Sequence, residues 1–171
     1  PPGNDRVPVV ELSEEAWDEV LDTNLKGTYL VAKAVARAMI GQRVRGRIIT
    51  MASDFGKVGQ PERAAYCASK FAVIGFTQSL ARELGPAGIT VNALCPGTVD
   101  TNRIDYIGRT PDGTFDAALR AEGAARLAKR VPLGRLATVE DVAGYALFLA
   151  SDAASYVTGQ ALNVGGGEVM H

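Results

Sequence analysis

The sequence predicts an α/β fold organised around a parallel sheet. Three observations predict it. Helix-like and strand-like segments alternate along the chain, the order that pairs strands in parallel through right-handed crossovers. The strand-like segments are short and β-branched or aliphatic, as in Arg47-Ile48-Ile49-Thr50-Met51 and Ile89-Thr90-Val91-Asn92-Ala93-Leu94. Glycine and proline punctuate them at Gly46, Gly85-Pro86, Pro96-Gly97 and Gly165-Gly166-Gly167. A chain of 171 residues, 47% hydrophobic and 22% charged, is enough for one globular domain.

In order along the chain, Pro1 to Pro8 reads as loop. Ser13 is a suitable N-cap, and Glu14 and Glu15 suit a first helical turn; this helix is predicted from about Glu14 to about Ile40. Arg47–Met51 follows as a buried strand, then a loop from Asp54 to about Arg63. A second long helix is predicted over Ala64 to Leu84, stopped by Gly85-Pro86. Ile89–Leu94 is the next strand, broken by Pro96-Gly97. Asn102 to Thr114 reads as loop and Phe115 to Lys129 as helix. Thr138 with Asp141 has the pattern of a capping box for a helix running to Ala150. Ala161–Val164 is the last strand.

Three strands make a thin sheet. Arg47–Met51 reads as a fully buried central strand, which needs a neighbour on each side, and the sequence offers no candidate for one of them. An incomplete chain is therefore expected. The long helices are apolar or small nearly all the way round, from Gly27 to Ile40 and from Phe71 to Leu80. A helix on a sheet needs one apolar stripe. The surplus implies a second buried face, either a homo-oligomeric contact (tetramer or dimer) through helices 14–40 and 64–84, or a face covered by further chain.

Several functions are disfavoured. The formal net charge of −1 gives no reason to expect nucleic acid or an anionic membrane as partner. No apolar run has the length of a membrane span, since Lys33 and Arg37 interrupt the most hydrophobic helix. Pro1-Pro2-Gly3-Asn4-Asp5-Arg6 lacks the pattern of a secretory signal. Cys67 and Cys95 form no C-x-x-C pair, so a reducing, cytoplasmic setting without disulfides is expected. Cys67 reads as a core or interface thiol, Cys95 as a buried structural thiol or one that brushes substrate, and Trp17 as a packing residue. The single histidine, His171, is the last residue, which leaves little room for a Ser-His-Asp triad or a His/Cys metal site; no metal is expected.

Tyr66 and Lys70 stand four apart at the start of a helix and so share a face. A tyrosine hydroxyl titrates near pH ~10, too high for a general base at neutral pH. A neighbouring ammonium favours the phenolate, which suits alcohol oxidation or carbonyl reduction. Such a pair also occurs as plain solvated neighbours on a helix surface. Ser53 ends the preceding strand, and strand C-terminal ends are where open α/β sheets place ligands.

Gly46–Gly56 resembles the strand that delivers the catalytic serine in the short-chain dehydrogenase/reductase family. Ala65-Tyr66-Cys67-Ala68-Ser69-Lys70 is similar to that family's tyrosine–lysine helix start. Gly75–Leu84, Gly88–Asn92, Pro96–Thr101, Thr158-Gly159-Gln160 and Asn24-Leu25-Lys26-Gly27 continue the likeness, which is least over Asn102 to Ala128. The resemblance implies a Rossmann-like, doubly wound parallel sheet, of which this chain would hold the last three strands and their helices. It makes residues 1–171 the C-terminal part of a single domain, starting after the fourth of seven strands. The glycine-rich turn that holds the pyrophosphate in that family and its Asn-Asn-Ala-Gly segment do not occur here. A partial record of a longer chain, a half supplied by a separate polypeptide and a truncated relic would each explain this.

The resemblance also implies roles. Tyr66 would exchange the proton with the substrate oxygen, and Lys70 would assist it and hold the nicotinamide ribose. Ser53 would polarise the substrate oxygen. Asn24 would hold a water linking Lys70 to solvent, or simply mark a helix kink. Pro96 and Gly97 would let the backbone pass close to the nicotinamide ring, and Thr101 with the backbone of Val99 would bind the carboxamide. The cofactor would be NAD or NADP. The substrate would be a small alcohol or carbonyl of polyol, diol or 3-hydroxyacyl type, with Asp105, Arg109, Asp112 and Arg120 in the substrate loop and helix. The alternative is a non-catalytic interaction or assembly module.

Overall fold

The computed structural model describes residues 5–170. Pro1–Asn4 of the predicted opening loop, and His171, lie outside the described residues. Helices α1 (Glu14–Leu21) and α2 (Gly27–Gly41) form one rod, joined through a π-type turn at Asp22–Lys26. Strand β1 is Arg47–Met51, α3 is Ala64–Leu84, β2 is Thr90–Pro96, α4 is Ala117–Ala128, α5 is Val139–Ala150 and β3 is Ala161–Val164.

Local chemistry sets most boundaries. The Ser13 hydroxyl accepts from the Ala16 amide, and Asp116 accepts from the amides of Ala118 and Leu119. Thr138 and Asp141 make both bonds of a capping box, at 3.3 and 2.7 Å. The π turn arises because the Gly27 amide bonds the Asp22 carbonyl, one residue beyond the α-helical partner. The Thr28 hydroxyl donates to the Asn24 carbonyl at 2.7 Å. Helical periodicity tolerates one extra residue, so the predicted single helix hides this turn. The predicted loop 102–114 contains a 3-10 stretch at Asn102–Gly108.

The sheet has the order β1-β2-β3, parallel throughout, with Arg47 opposite Thr90 and Ala93 opposite Ala161. β2 runs two residues further than predicted, ending on Pro96 where a missing amide costs no ladder bond. β1 is not central. Among the described residues it pairs with β2 alone, and Met51 is 49% exposed.

Both faces of the sheet are covered. Ile48, Val91, Ala93 and Cys95 pack against α2 and α3, with Leu80, Leu84 and Val73 among their neighbours. Leu94, Ile49, Leu162 and Val164 pack with Leu149, Val142 and Ala146 of α5. β1 to β2 to β3 steps in one direction, yet α3 and α5 lie on opposite faces. The two crossovers therefore differ in hand, which corrects the expectation that both are right-handed. That rule holds for a short direct return. Here an excursion from Gly97 to Thr138, with its own small core of Ile104, Val131 and Leu136, separates β2 from α5.

Candidate active site

The C-terminal end of the sheet opens onto a cavity of about 460 Å3 that takes in Ser53, Tyr66, Lys70, Gly97, Val99 and Thr101. Pro96 lines it too. The residues singled out in the sequence therefore converge, apart from Asn24, which lies in an adjoining cavity that Tyr66 and Lys70 also line.

Tyr66 is half-buried in the first turn of α3. Its ring meets that of Phe55 edge to face, with centroids 6.5 Å apart. Three cations surround its face, with Arg63 at 5.4 Å, Lys70 at 5.6 Å and Arg103 at 5.8 Å from the centroid. Lys70 is buried and donates to the Met51 carbonyl at 2.9 Å, tying α3 to the end of β1. Burial pulls the Lys70 ammonium below its ordinary value, and the charge of Arg103 pulls the same way. Burial likewise lowers Arg63, aided by Arg6. A negative charge forming on the phenol oxygen would meet a positive field.

Ser53 follows β1. Its hydroxyl donates to Asp54 Oδ1 at 2.9 Å, so its single proton points at the carboxyl group. The next turn, Asp54–Gly56, sits directly on α3: a Cβ on Gly56 would lie 2.8 Å from the Lys70 carbonyl oxygen. Only glycine lets Ser53 and Lys70 come this near. Asn24, in the π turn, donates from Nδ2 to Ser69 Oγ at 3.0 Å, and Ser69 donates to the Tyr66 carbonyl at 2.7 Å. The π turn and the contact with the tyrosine turn are thus one feature.

The strand end after Pro96 is built from backbone. A Cβ on Gly97 would fall 2.9 Å from the Gly165 Cα, so its nearest constraint is the C-terminal turn. Val99 bridges Ala137, but the two bonds of that pairing use the Thr98 carbonyl and the Asp100 amide. The amide and carbonyl of Val99 itself turn the other way. Together with the Thr101 hydroxyl, they make a polar edge suited to an amide-bearing ring.

Four residues noted in the substrate loop are internal braces. Arg120 bonds Asp100 and Asp105 at 2.5 and 3.0 Å, Arg109 donates to the Gly113 carbonyl, and Asp112 accepts from Thr110. Sequence reasoning missed Asp54, Arg63, Arg103, Arg130 and Glu168, all of which line the cavity. Asp54 and Arg63 could have been found by their closeness to Ser53 and Tyr66. Nothing local marks Glu168, which reaches the site from the chain's far end.

The family model described as enoyl-(acyl carrier protein) reductase matches residues 3–168. The chain is 41% identical over 166 residues to galactitol 2-dehydrogenase of Agrobacterium fabrum, covering 97% of this chain and 64% of that protein. It is 39% identical over 162 residues to 3-oxoacyl-[acyl-carrier-protein] reductase of Escherichia coli, covering 95% and 61%. The crystal structure of a gluconate 5-dehydrogenase from Burkholderia cenocepacia, in complex with NADP and tartrate, superposes with a TM-score of 0.82 at 36% identity, covering 95% of this chain and 60% of that one. The chain thus spans about three-fifths of the length of these relatives.

Proposed function

The chain belongs to the short-chain dehydrogenase/reductase family, and from that premise we propose that it serves an oxidoreductase that interconverts a secondary alcohol and a carbonyl with NAD or NADP. The observation that carries this reading is the meeting of Ser53, Tyr66 and Lys70 in one cavity with the open backbone edge at Val99.

The donor set fits a nicotinamide nucleotide. Tyr66 and Lys70 would hold its ribose, Pro96 and Gly97 would flank its ring, and Val99 and Thr101 would take its carboxamide. When bound, that cofactor gives or takes the hydride. The chain's own groups handle the proton. Tyr66 passes it to or from the substrate oxygen, while Lys70, with Arg63 and Arg103, stabilises charge on the phenol. Ser53 turns its hydroxyl from Asp54 to the substrate oxygen. Asn24 holds a water between Lys70 and solvent, a role supported by the cavity the two share. NADP is the cofactor to try first, being the one held by the gluconate 5-dehydrogenase neighbour.

With NADP and a panel of polyols, diols and 3-oxoacyl thioesters, the natural polypeptide carrying this sequence is expected to show nicotinamide-dependent turnover. A titration with neither NADP binding nor turnover of any member overturns the reading.

We also propose self-association through α2 and α3, since Leu30, Val31, Val35 and Phe71 are exposed. Sedimentation is expected to give a dimer or tetramer, and a monomer at micromolar concentration refutes it. Both cysteines are free and buried, which supports a reducing compartment such as the cytoplasm. Among the described residues, no helix is long and apolar enough to cross a membrane.

A further inference from the structure

Asp54 is a buried acid that the reaction above does not use. It is 4% exposed and lines the same cavity as Ser53, Tyr66 and Lys70. Oδ1 is occupied, accepting the Ser53 hydroxyl at 2.9 Å and the Phe55 amide at 2.7 Å. Oδ2 accepts from no other residue among those described, and it lies 3.5 Å from where a Cβ of Gly97 would stand. That oxygen opens into the cavity beside the reacting centre, where a donor that arrives with a ligand can reach it.

The charged neighbours do not supply that donor. Arg130 acts on Asp54 electrostatically, but its guanidinium is ion-paired with Glu168 at 3.1 Å. Glu168 and the Cys95 thiol are the other titratable groups coupled to Asp54. Burial pushes the Asp54 carboxyl up, against the pull of Ser53, Phe55 and Arg130. A hydroxyl suits either protonation state, because it donates to a carboxylate and accepts from a carboxylic acid. A cationic substrate would face Arg6, Arg63, Arg103, Arg130 and Lys70 around the same cavity. A 3-oxoacyl thioester presents only a methylene next to its reacting carbonyl and would leave Oδ2 unpaired.

We infer that Asp54 determines specificity by holding a second hydroxyl adjacent to the reacting one, so that the substrates are vicinal diols and polyols. This rests on the hydride-transfer reading above. The test compares kcat/KM for glycerol with that for isopropanol, which has the same carbon skeleton without the neighbouring hydroxyls. Wild type is expected to prefer glycerol, and Asp54→Val to lower that preference about 10- to 100-fold, the worth of one hydrogen bond to a charged group. A ratio of two substrates cancels any loss of folded protein. Asp54→Asn keeps the shape and an oxygen for Ser53 and Phe55, and its NH2 can donate to the same hydroxyl, so it is expected to retain more of the preference than the valine variant. A wild-type preference for isopropanol or for a 3-oxoacyl thioester, a ratio that survives Asp54→Val, or an asparagine variant whose ratio falls as far as the valine one, overturns the inference while leaving hydride transfer standing. A wild type with neither NADP binding nor turnover of any member of the panel overturns both.

Discussion

Replacing Tyr66 with phenylalanine is expected to cut turnover about a hundred- to ten-thousand-fold, the range supplied by a positioned acid–base group, with NADP affinity lowered far less because Lys70, Val99 and Thr101 still hold the nucleotide. The exchange removes one oxygen and leaves the ring. The contact with Phe55 and the three cations over the ring survive, because both depend on the ring and not on the hydroxyl. The hydroxyl itself bonds no other residue among those described, so its loss strands no buried partner. Steady-state rates alongside a fluorescence titration of NADP check the result. Retained turnover in a folded variant would remove Tyr66 from the chemistry.

Leu94→Ala is expected to cost about 2–5 kcal/mol of stability, the range for deleting a buried leucine. For a chain of this size that is roughly 5–15 °C in thermal midpoint. Leu94 is fully buried on the middle strand, packed with Leu149 and Ala154. Its carbonyl also accepts the Ala52 amide at 2.8 Å, one residue before Ser53. Few positions serve the core and the site entrance so directly. A fall in midpoint below about 2 °C would show that α5 does not depend on this cluster.

Legibility in the sequence followed the range of the signal. α3 and β1 were readable to the residue because Gly46, Gly85-Pro86 and an unbroken β-branched run are local marks. The capping box at Thr138 and Asp141 was readable for the same reason. The π turn at Asp22–Lys26 was not, since its only trace is one residue of slippage within an apolar pattern. That β1 has a partner in this sequence on one side only was readable, because the count of strand-like segments left no candidate for the other. In the site, the spacing of Tyr66 and Lys70 was visible as helix geometry. That Ser53 joins them depends on Gly56 and on the Lys70 bond to Met51, contacts that no periodicity reports. Arg130 and Glu168 meet only because the chain's end returns beneath the excursion.

The change of hand between the two crossovers has a consequence for where a ligand can sit. A chain that leaves the sheet on one face and comes back on the other has to travel over the rim, and it does so at the carboxyl ends of the strands. Thr98, Val99, Thr101, Arg103 and Ile104 are that overpass. The hollow beneath it is enclosed by the route of the backbone, before any side chain is chosen. Substitutions along the overpass can therefore reshape what enters while the cavity floor of Ser53, Tyr66 and Lys70 stays where the sheet holds it.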